Sequence, residues 1–427
     1  MQNLLEEIYK TQSVWKKENF SIKNILFKNL ENILLNSKEE LAKVMVNEMH
    51  KPISQAIAEI EKCAWLCNYY CENAYQFLEP KIINTDASKS YVSYEPLGII
   101  LGIMPWNFPF WQVFRFAVPS IFAGNCVVVK HASNVPKCAE TISEIFTKAG
   151  FKKNIYTNIS ISSKEIVKII KHKRISAVSL TGSEFAGKSV AKIAGKNLKK
   201  CVLELGGNNA FIVLSDANLE NAVDVAVKAR MQNNGQSCIA AKRFLIQDKI
   251  FEDFVALFIS KINQLKTGNP LLKDTEISAL AREDLAIEVE NLVKKSVEMG
   301  ATLLVGGNRK NNFFEPTVLV NINKNMPVFK EEVFGPVACF MPFSSIDEAI
   351  EISNNSKYGL GVSIFTENVN AVLPYLSCFN EGAVFINEMV KSDPRLPFGG
   401  IKNSGYGREL AEEGIKEFVN CKTVFIK

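Results

Sequence analysis

The first 78 residues repeat apolar side chains at intervals of three and four, which is the spacing of one helical face. This pattern predicts four consecutive helices, of which the fourth is the longest. Their sequences are NLLEEIYKTQSVWKK, SIKNILFKNLENILLN, SKEELAKVMVNEM and ISQAIAEIEKCAWLCNYYCENAYQFL. Ser37, just before Lys38, Glu39 and Glu40, also has the signature of a capping box at the start of the third helix.

The pattern changes after Pro80. Residues 81–98, KIINTDASKSYVSYEPLG, alternate polar and apolar side chains, which is typical of an exposed hairpin or edge strand. From residue 97 onward, short apolar runs alternate with helical segments. The runs GIILGIM, NCVVVKH, NIYTNIS and RISAVSL form one such set, and a second set begins at Cys201. Strands that alternate with helices of this length predict an α/β fold with a parallel, doubly wound sheet.

Composition narrows the class of protein. The chain has 427 residues, 47% of them hydrophobic and 22% charged, with a net charge of +5, so we expect a globular protein of two or three domains. Without a dense block of Lys and Arg, we expect no nucleic-acid partner. No apolar run approaches the roughly 20 residues that cross a bilayer, so we expect no membrane insertion. The ten unpaired-looking cysteines indicate a reducing compartment, and we expect a cytoplasmic location.

Metal binding is not favoured by the spacing of potential ligands. Cys63, Cys67 and Cys71 recur every four residues, which predicts a buried stripe on one helix rather than a complete ligand set. The three histidines, His50, His131 and His172, form no ligand-spaced cluster. We therefore expect no metal.

Cys238 is the candidate nucleophile. It follows the flexible run NNGQS and precedes Lys242 and Arg243, whose charge favours a thiolate if the side chains point inward. Gly235 allows close approach of the backbone. The alternative is that Cys238 is one more small buried hydrophobe.

A second candidate is a phosphate-binding loop. Residues 182–189, GSEFAGKS, match the pattern GxxxxGK[ST] after a predicted strand, and Asp216 could end a Walker B strand. Amides at such a helix start can also hold a dinucleotide pyrophosphate. Both an NTPase and a dinucleotide enzyme stay open on this motif alone.

Three further motifs carry polar groups suited to carbonyl chemistry. PWNFP at 105–109 holds an amide, Asn107, in a rigid turn where it could donate to an oxyanion. LELGG at 203–207 displays Glu204 beside glycine, as a general base on water requires. EEVFGP at 331–336 and LPFGGIKNSGYGRE at 396–409 are each explicable as loops when taken alone.

Taken together and in this order, these motifs resemble the aldehyde dehydrogenase superfamily from about Glu95 to the C-terminus. The finer similarity is to its short succinate-semialdehyde dehydrogenase group. It is carried by MPWNFPFWQVFR, KHASNVP, KKCVLELGG, AAKRF and DPRLPFGGIKNSGYGREL.

The resemblance implies roles for individual residues. Cys238 attacks the aldehyde, Asn107 and the Cys238 amide hold the oxyanion, and Glu204 activates the water that hydrolyses the thioester. Lys130 contacts the adenine-side ribose, and Gly182 and Ser183 hold the pyrophosphate. Glu332 binds the nicotinamide ribose, with Phe334 and Trp106 beside it.

Two departures from the family pattern concern specificity. Many NAD-preferring relatives carry Glu where this chain has Ser133, so NADP becomes acceptable and NAD is not excluded. Arg115 matches an arginine that binds the substrate carboxylate, but Gln232 stands where some succinate-semialdehyde enzymes have a second arginine. Lys242, Lys391 and Arg395 are candidate helpers, and a purely structural Arg115 is the alternative.

The resemblance also implies an architecture. We expect a Rossmann-like cofactor domain at 1–79 and 97–203, an α/β catalytic domain at 204–405, and a small β oligomerisation element at 80–96 and 406–427. An exposed edge strand in that element favours a homodimer or homotetramer. The expected reaction is NAD(P)-dependent oxidation of succinate semialdehyde to succinate. The alternatives are another aldehyde as substrate, a CoA-acylating enzyme, a P-loop NTPase or a catalytically silent binding protein.

Overall fold

The computed structural model describes residues 1–427, which form fifteen α-helices and twenty strands. The helices are α1 (Gln2–Trp15), α2 (Phe20–Asn36), α3 (Lys38–Met49), α4 (Ile53–Leu78), α5 (Trp111–Phe122), α6 (Pro136–Lys148), α7 (Ser163–Lys171), α8 (Glu184–Lys196), α9 (Leu219–Met231), α10 (Phe251–Asn263), α11 (Glu283–Glu298), α12 (Pro327–Lys330), α13 (Ile346–Asn354), α14 (Val369–Val372) and α15 (Ala411–Lys416). None of them combines the length and the apolar character needed to span a bilayer.

The strands are mostly short. They are β1 (Lys81–Ile82), β2 (Lys89–Pro96), β3 (Ile99–Met104), β4 (Cys126–His131), β5 (Tyr156–Asn158), β6 (Ile175–Thr181), β7 (Lys200–Glu204), β8 (Asn209–Val213), β9 (Ala241–Gln247), β10 (Thr302–Val305), β11 (Arg309–Lys310), β12 (Phe313–Phe314), β13 (Thr317–Val320), β14 (Val337–Phe343), β15 (Tyr358–Gly359), β16 (Val362–Phe365), β17 (Val384–Ile386), β18 (Ile401–Lys402), β19 (Gly405–Tyr406) and β20 (Val419–Ile426).

The four N-terminal helices form as predicted, and their apolar faces join the largest core of the molecule. On α4, Cys63 and Cys67 are fully buried and Cys71 is half-buried, so the predicted cysteine stripe packs inward. The capping box predicted at Ser37 is wrong, because the Ser37 side chain makes no capping hydrogen bond. Its N–H still donates to Ile33 O at the end of α2, which leaves Ser37 outside the extended conformation that a cap requires.

The first large sheet has the strand order β19-β7-β6-β3-β4-β5, and all its strands except β19 are parallel. Counted in chain order, the parallel strands are arranged 3-2-1-4-5, which is the doubly wound order of dinucleotide-binding folds. The order reverses between β3 and β6. In such folds a ligand binds at the carboxyl ends of the strands at this reversal. The predicted α/β class with a Rossmann-like sheet is confirmed.

The second large sheet has the order β10-β13-β14-β9-β8-β16-β17, with only β10 antiparallel to its neighbour. The chain crosses from the first sheet to the second in the four residues between β7 and β8. It returns through β19, where Gly405 pairs with Glu204. Glu204 and its surroundings therefore lie where the two sheets meet.

A three-stranded antiparallel sheet, β1-β2-β20, combines the hairpin with the C-terminal strand. Tyr91 pairs with Val424 and Val92 with Thr423. The outer edge of β20 has no strand beside it, and most of its side chains are exposed. The C-terminal segment also packs elsewhere, because α15 lies against α4 and α5. The division into functional domains and the role of this sheet in assembly stay predictions.

Candidate active site

A cavity of about 890 Å³ opens beside Cys238. Its wall is built from α4, from the start of α5, from α9 and the turn after it, and from the loop that precedes β18. The side chains that matter for the argument below are Lys62, Arg115, Gln232, Cys238, Ser392 and Phe398. The cavity thus draws on segments that lie more than 300 residues apart in the chain.

The turn before Cys238 is held in an unusual backbone conformation. Asn233, Asn234 and Gly235 have φ values of 55°, 57° and 75°, so three left-handed residues stand in a row. A Cβ at Gly235 would overlap the Gly335 carbonyl, which explains glycine at this position. The fully buried Arg230 fixes the turn by donating to Gly235 O at 2.5 Å and to Ala241 O at 2.9 Å.

Of the two cations near the thiol, only Lys242 points toward it. Lys242 Nζ donates to the carbonyls of Ser237 and Cys238, each at 2.9 Å, and to Glu332 Oε1 at 3.2 Å. Arg243 points away, since its guanidinium donates to carbonyls of Asn208, Ile352 and Ser353. The condition set from the sequence, that these two cations point inward, is therefore met by Lys242 and not by Arg243.

The Cys238 side chain is half-buried, and this burial raises its pKa to about 11. Arg115 and Lys242 act in the opposite direction, and their positive charge only partly offsets the loss of solvation. At neutral pH the thiol in this arrangement keeps its proton. A base is needed to remove it before it can attack.

Asn107 lies against the thiol-bearing turn. The buried Asn107 Nδ2 donates to Gln236 O at 3.2 Å, and Asn233 Nδ2 donates to Asn107 O at 2.8 Å. These bonds tie the PWNFP turn to the segment that presents Cys238. An amide has two N–H donors, so one remains to serve an oxyanion.

Glu204, Glu409 and Arg115 form a buried charged cluster. Arg115 pairs with Glu409, donates to Thr181 Oγ1 at 3.4 Å, and lies 4.6 Å from the centre of the Phe398 ring. Burial raises the pKa of Glu204 well above its ordinary value, opposed by Arg115 and reinforced by Glu409. Glu204 Oε1 is buried without a hydrogen-bond partner in the protein. A poorly solvated, unpartnered carboxyl of this kind is suited to take a proton from water or from a thiol.

The nicotinamide-side residues predicted from the sequence converge. The rings of Trp106 and Phe334 meet edge to face with centroids 5.8 Å apart. Glu332 Oε1 accepts from the Gly207 N–H at 3.0 Å, and a Cβ at Gly206 would collide with Glu332 Oε2. The glycine pair after Glu204 therefore makes room for the Glu332 carboxylate.

The phosphate-loop interpretation of residues 182–189 is wrong. Ser183 caps α8 by accepting from the Ala186 N–H, and the residues from Glu184 onward are helical rather than a loop. Lys188 pairs with Glu184 one turn earlier on the exposed face, so it cradles no phosphate. Asp216 accepts from Thr366 Oγ1 and from the Asn368 N–H, which leaves it no Walker B role.

The cofactor cradle fits a dinucleotide. Gly182 and Ser183 follow β6 and Trp106 follows β3, so they flank the point where the strand order reverses. Lys130, at the end of β4, is half-buried, and desolvation lowers its pKa, while Ser133 is exposed just beyond. Two buried polar atoms on this side of the sheet lack partners in the protein, namely Asn134 Nδ2, three residues after β4, and Thr157 Oγ1, in the middle of the edge strand β5. A free polar group beyond the carboxyl end of a strand is what a bound nucleotide can satisfy, and of the two only Asn134 lies at such an end.

The cations that are candidates for binding the substrate carboxylate already have partners within the protein. Lys391 pairs with Glu388 at 2.7 Å, and Arg395 makes a two-pronged pair with Asp393. Lys242 is engaged with the thiol turn, and Arg115 with Glu409. Gln232 lines the cavity, as its position six residues before Cys238 suggests.

Sequence reasoning missed several residues of the site. Lys62 on α4, Gln112 on α5 and Ser392 line the cavity, and Arg230 braces the thiol turn. No local motif marks Lys62, and it lies 176 positions before Cys238 in the chain, so only the fold brings the two together. Arg230 could have been noticed in the sequence, because a charged residue on the apolar face of a helix is buried only when it has a hydrogen-bond or ion-pair partner.

The fold and the site together define an oxidoreductase with a dinucleotide-binding sheet and a cysteine at the mouth of a substrate cavity. The model of the aldehyde dehydrogenase family matches residues 2–424. The chain belongs to this family and is an NAD(P)-dependent aldehyde dehydrogenase.

Two relatives and one solved structure place the chain within the family. It is 48% identical over 398 residues to a probable succinate-semialdehyde dehydrogenase (NADP+) of Synechocystis sp., covering 92% of this chain and 88% of the relative. It is 45% identical over 394 residues to succinate-semialdehyde dehydrogenase (NADP+) 1 of Mycobacterium tuberculosis, covering 91% and 86%. The Streptococcus pyogenes succinic semialdehyde dehydrogenase in complex with NADP+ superposes with a TM-score of 0.97 at 36% identity, covering 100% and 94%.

Proposed function

We propose that this enzyme oxidises succinate semialdehyde to succinate with NADP as the cofactor. The observation that carries the proposal is the cavity itself, in which Cys238 and cationic side chains line one space. A thiol supplies the nucleophile, and a cation supplies the partner for a distal carboxylate. The relatives from Synechocystis and Mycobacterium tuberculosis, which are named for this activity with NADP(+), support the same substrate and cofactor.

In the proposed first step, the Cys238 sulfur attacks the aldehyde carbon after losing its proton to Glu204. A C–S bond forms, and the carbonyl π electrons move to the oxygen. The free Asn107 N–H and the Cys238 N–H hold that oxygen. Because the thiol pKa is raised by burial, attack depends on a nearby base rather than on spontaneous ionisation.

To become a thioester, this adduct must lose a hydride, so the C–H bond of the former aldehyde carbon breaks as the oxyanion reforms the carbonyl. A nicotinamide dinucleotide, when bound, supplies the hydride acceptor that this oxidation needs. Residues 182–183 at the start of α8 would hold its pyrophosphate, and Lys130 its adenine-side ribose. Glu332, seated over the Gly206–Gly207 pair, would hold the nicotinamide ribose. Ser133 has a hydroxyl where an acidic side chain would repel a 2′-phosphate, which supports NADP.

Before the proposed last step, Glu204 releases the thiol proton to solvent. It then takes a proton from a water whose oxygen attacks the thioester carbon. The C–S bond breaks, the acid leaves, and the sulfur takes a proton back. The buried Glu204 Oε1, which has no partner in the protein, is available to that water. This base also disfavours a CoA-acylating reaction, because the thioester would be hydrolysed first.

The test is a matrix of initial rates for succinate semialdehyde, glutarate semialdehyde and propanal, each with NADP and with NAD. We expect the highest kcat/KM for succinate semialdehyde with NADP. Equal rates for propanal would contradict the substrate, and a preference for NAD would contradict the cofactor. Loss of all activity in Cys238→Ala is the control that assigns the rates to this site.

We further propose that the protein is a homodimer or homotetramer and acts in the cytoplasm. The exposed outer edge of β20 can be covered by a second copy of the chain. All ten cysteines are free thiols, including the exposed Cys378 and Cys421, which suits a reducing compartment.

A further inference from the structure

One face of α4 forms a wall of the active-site cavity. Its cavity-lining residues are Ser54, Gln55, Ala58, Glu59 and Lys62, whose spacing places them on one side of a helix. This helix belongs to the N-terminal part of the chain, which shows no catalytic motif. Lys62 brings an ammonium group from it to the substrate space.

Lys62 differs from the other cations that line the cavity. Three of them are neutralised, since Arg115 pairs with Glu409, Lys261 with Asp224 and Lys391 with Glu388. Lys228 is exposed to solvent. Lys62 is half-buried and has no carboxylate within ion-pair distance, so its charge lacks a counterion in the protein.

The acids nearest to Lys62 are already committed. The buried Glu59, one turn earlier on α4, pairs with Lys51 and accepts from the N–H groups of Phe110 and Trp111 at 3.0 and 2.9 Å. Asp393 is held by both prongs of Arg395. Neither carboxylate makes an ion pair with Lys62.

Ser392 completes a donor pair. Its buried Oγ accepts from Lys62 Nζ at 2.8 Å and from Trp111 Nε1 at 3.0 Å. A hydroxyl has two acceptor lone pairs and one donor, so these two bonds leave the Ser392 proton free to donate. Lys62 has three N–H donors and spends one on Ser392. Donors from both side chains therefore remain beside the cavity.

We propose that Lys62, positioned by its hydrogen bond to Ser392, binds the distal carboxylate of the substrate and so determines its specificity. This inference rests on the proposed function, because it presumes a semialdehyde acid. It moves the main carboxylate contact from Arg115, which is committed to Glu409, to a residue on the N-terminal helix. Burial, helped by Arg115, lowers the pKa of Lys62 to about 8, and an arriving carboxylate would restore its preference for the charged form.

The test compares kcat and KM of the full-length enzyme for succinate semialdehyde and for butanal, an uncharged aldehyde of the same carbon number. We expect Lys62→Met to lower kcat/KM for succinate semialdehyde about 10- to 100-fold, as loss of a charge-assisted contact does. The value for butanal should change less than threefold. Ser392→Ala should show a smaller loss with the same selectivity.

Lys228→Met is the matched control, since it removes the same charge from an exposed position at the cavity. Its effect on the ratio of the two substrates should stay within twofold. Lys62→Arg, which keeps the charge, should retain most of the preference for the carboxylated substrate. Lys62→Gln, of similar polarity, is the second variant if Lys62→Met does not fold.

The outcomes separate the two proposals. If the wild type does not prefer succinate semialdehyde to butanal, the proposed function fails. If it does, and Lys62→Met or Lys62→Gln lowers both substrates equally or neither, then Lys62 has no role in specificity and this inference is overturned. Competitive inhibition by succinate gives a readout independent of turnover, and it should weaken in Lys62→Met in parallel with the semialdehyde.

Discussion

At the scale of single residues, the chemistry of the site depends on ionisable side chains that are shielded from water. Cys238, Glu204 and Lys62 all have pKa values moved by burial toward the neutral form. Their charged neighbours reduce these shifts without cancelling them. Attack by Cys238 therefore depends on proton transfer to Glu204, and the charge of Lys62 depends on the carboxylate that the substrate brings.

The raised pKa of Cys238 predicts how its alkylation depends on pH. Only the thiolate reacts, so the rate with iodoacetamide should rise about tenfold per pH unit from pH 7 and level off only near the pKa of about 11. Peptide mapping by mass spectrometry after timed labelling measures the rate at this residue. Free cysteine, with a pKa of about 8.5, is the reference and should level off earlier. A plateau for Cys238 at or below pH 8 would contradict the prediction.

Ser133 predicts the cofactor preference. Ser133→Glu places a carboxylate where a 2′-phosphate would lie, and the repulsion should lower the NADP/NAD ratio of kcat/KM at least tenfold. Ser133→Gln, of similar size but uncharged, is the matched control and should lower the ratio much less. Steady-state rates with both cofactors measure it. An unchanged ratio in Ser133→Glu would show that this position does not select the cofactor.

At the scale of elements, the thiol is presented by a strained turn between α9 and β9. Its strain is offset by Arg230 from inside and by Asn233 contacts to the PWNFP turn. The turn acts as a brace for Cys238, because its flanking carbonyls accept hydrogen bonds from two fixed side chains. Asn107 donates to Gln236 O, and Arg230 donates to Ala241 O.

Gly235→Ala tests this brace. The new Cβ would meet the Gly335 carbonyl in a left-handed conformation that alone costs about 1–2 kcal/mol. We expect a lower midpoint of thermal unfolding and at least a tenfold loss of kcat, because Cys238 moves with the turn. Gly300→Ala is the matched control, since Gly300 also has positive φ but open space around it. If both variants lose equal stability and both keep activity, the close approach at Gly235 does not matter.

At the scale of the whole molecule, two mostly parallel sheets meet at Glu204, and the N-terminal helix α4 closes one side of the substrate cavity. A third sheet, β1-β2-β20, carries the exposed apolar side chains Ile82, Phe425 and Ile426. These exposed side chains and the open edge of β20 are the structural basis for the proposed assembly.

Phe425→Lys should therefore weaken the oligomer. A charge on the exposed β20 opposes burial against a second copy, so the mass by light scattering should fall toward a smaller species. Circular dichroism should show unchanged secondary structure. Leu198→Lys, at a position that is 97% exposed on another part of the surface, should leave the mass unchanged. An unaltered mass in Phe425→Lys would place the interface elsewhere.

The sequence by itself determined the α/β class, the four N-terminal helices and the family. Short-range periodicity decides which segments form helices and strands, and the motif order identifies the family. The resemblance also placed Trp106 and Phe334 in one site, and the structure brings their rings into contact.

Only the tertiary structure decided which charges are free. The sequence offers four equivalent candidates for binding the substrate carboxylate, but the fold gives each of them a partner within the protein. They are Arg115, Lys242, Lys391 and Arg395. Lys62 carries no motif, and yet it reaches the cavity without a counterion. The GSEFAGKS match failed for the same reason, because a pattern does not say whether its residues form a loop or a helix. Pairing and burial arise between distant segments, and no local pattern encodes them.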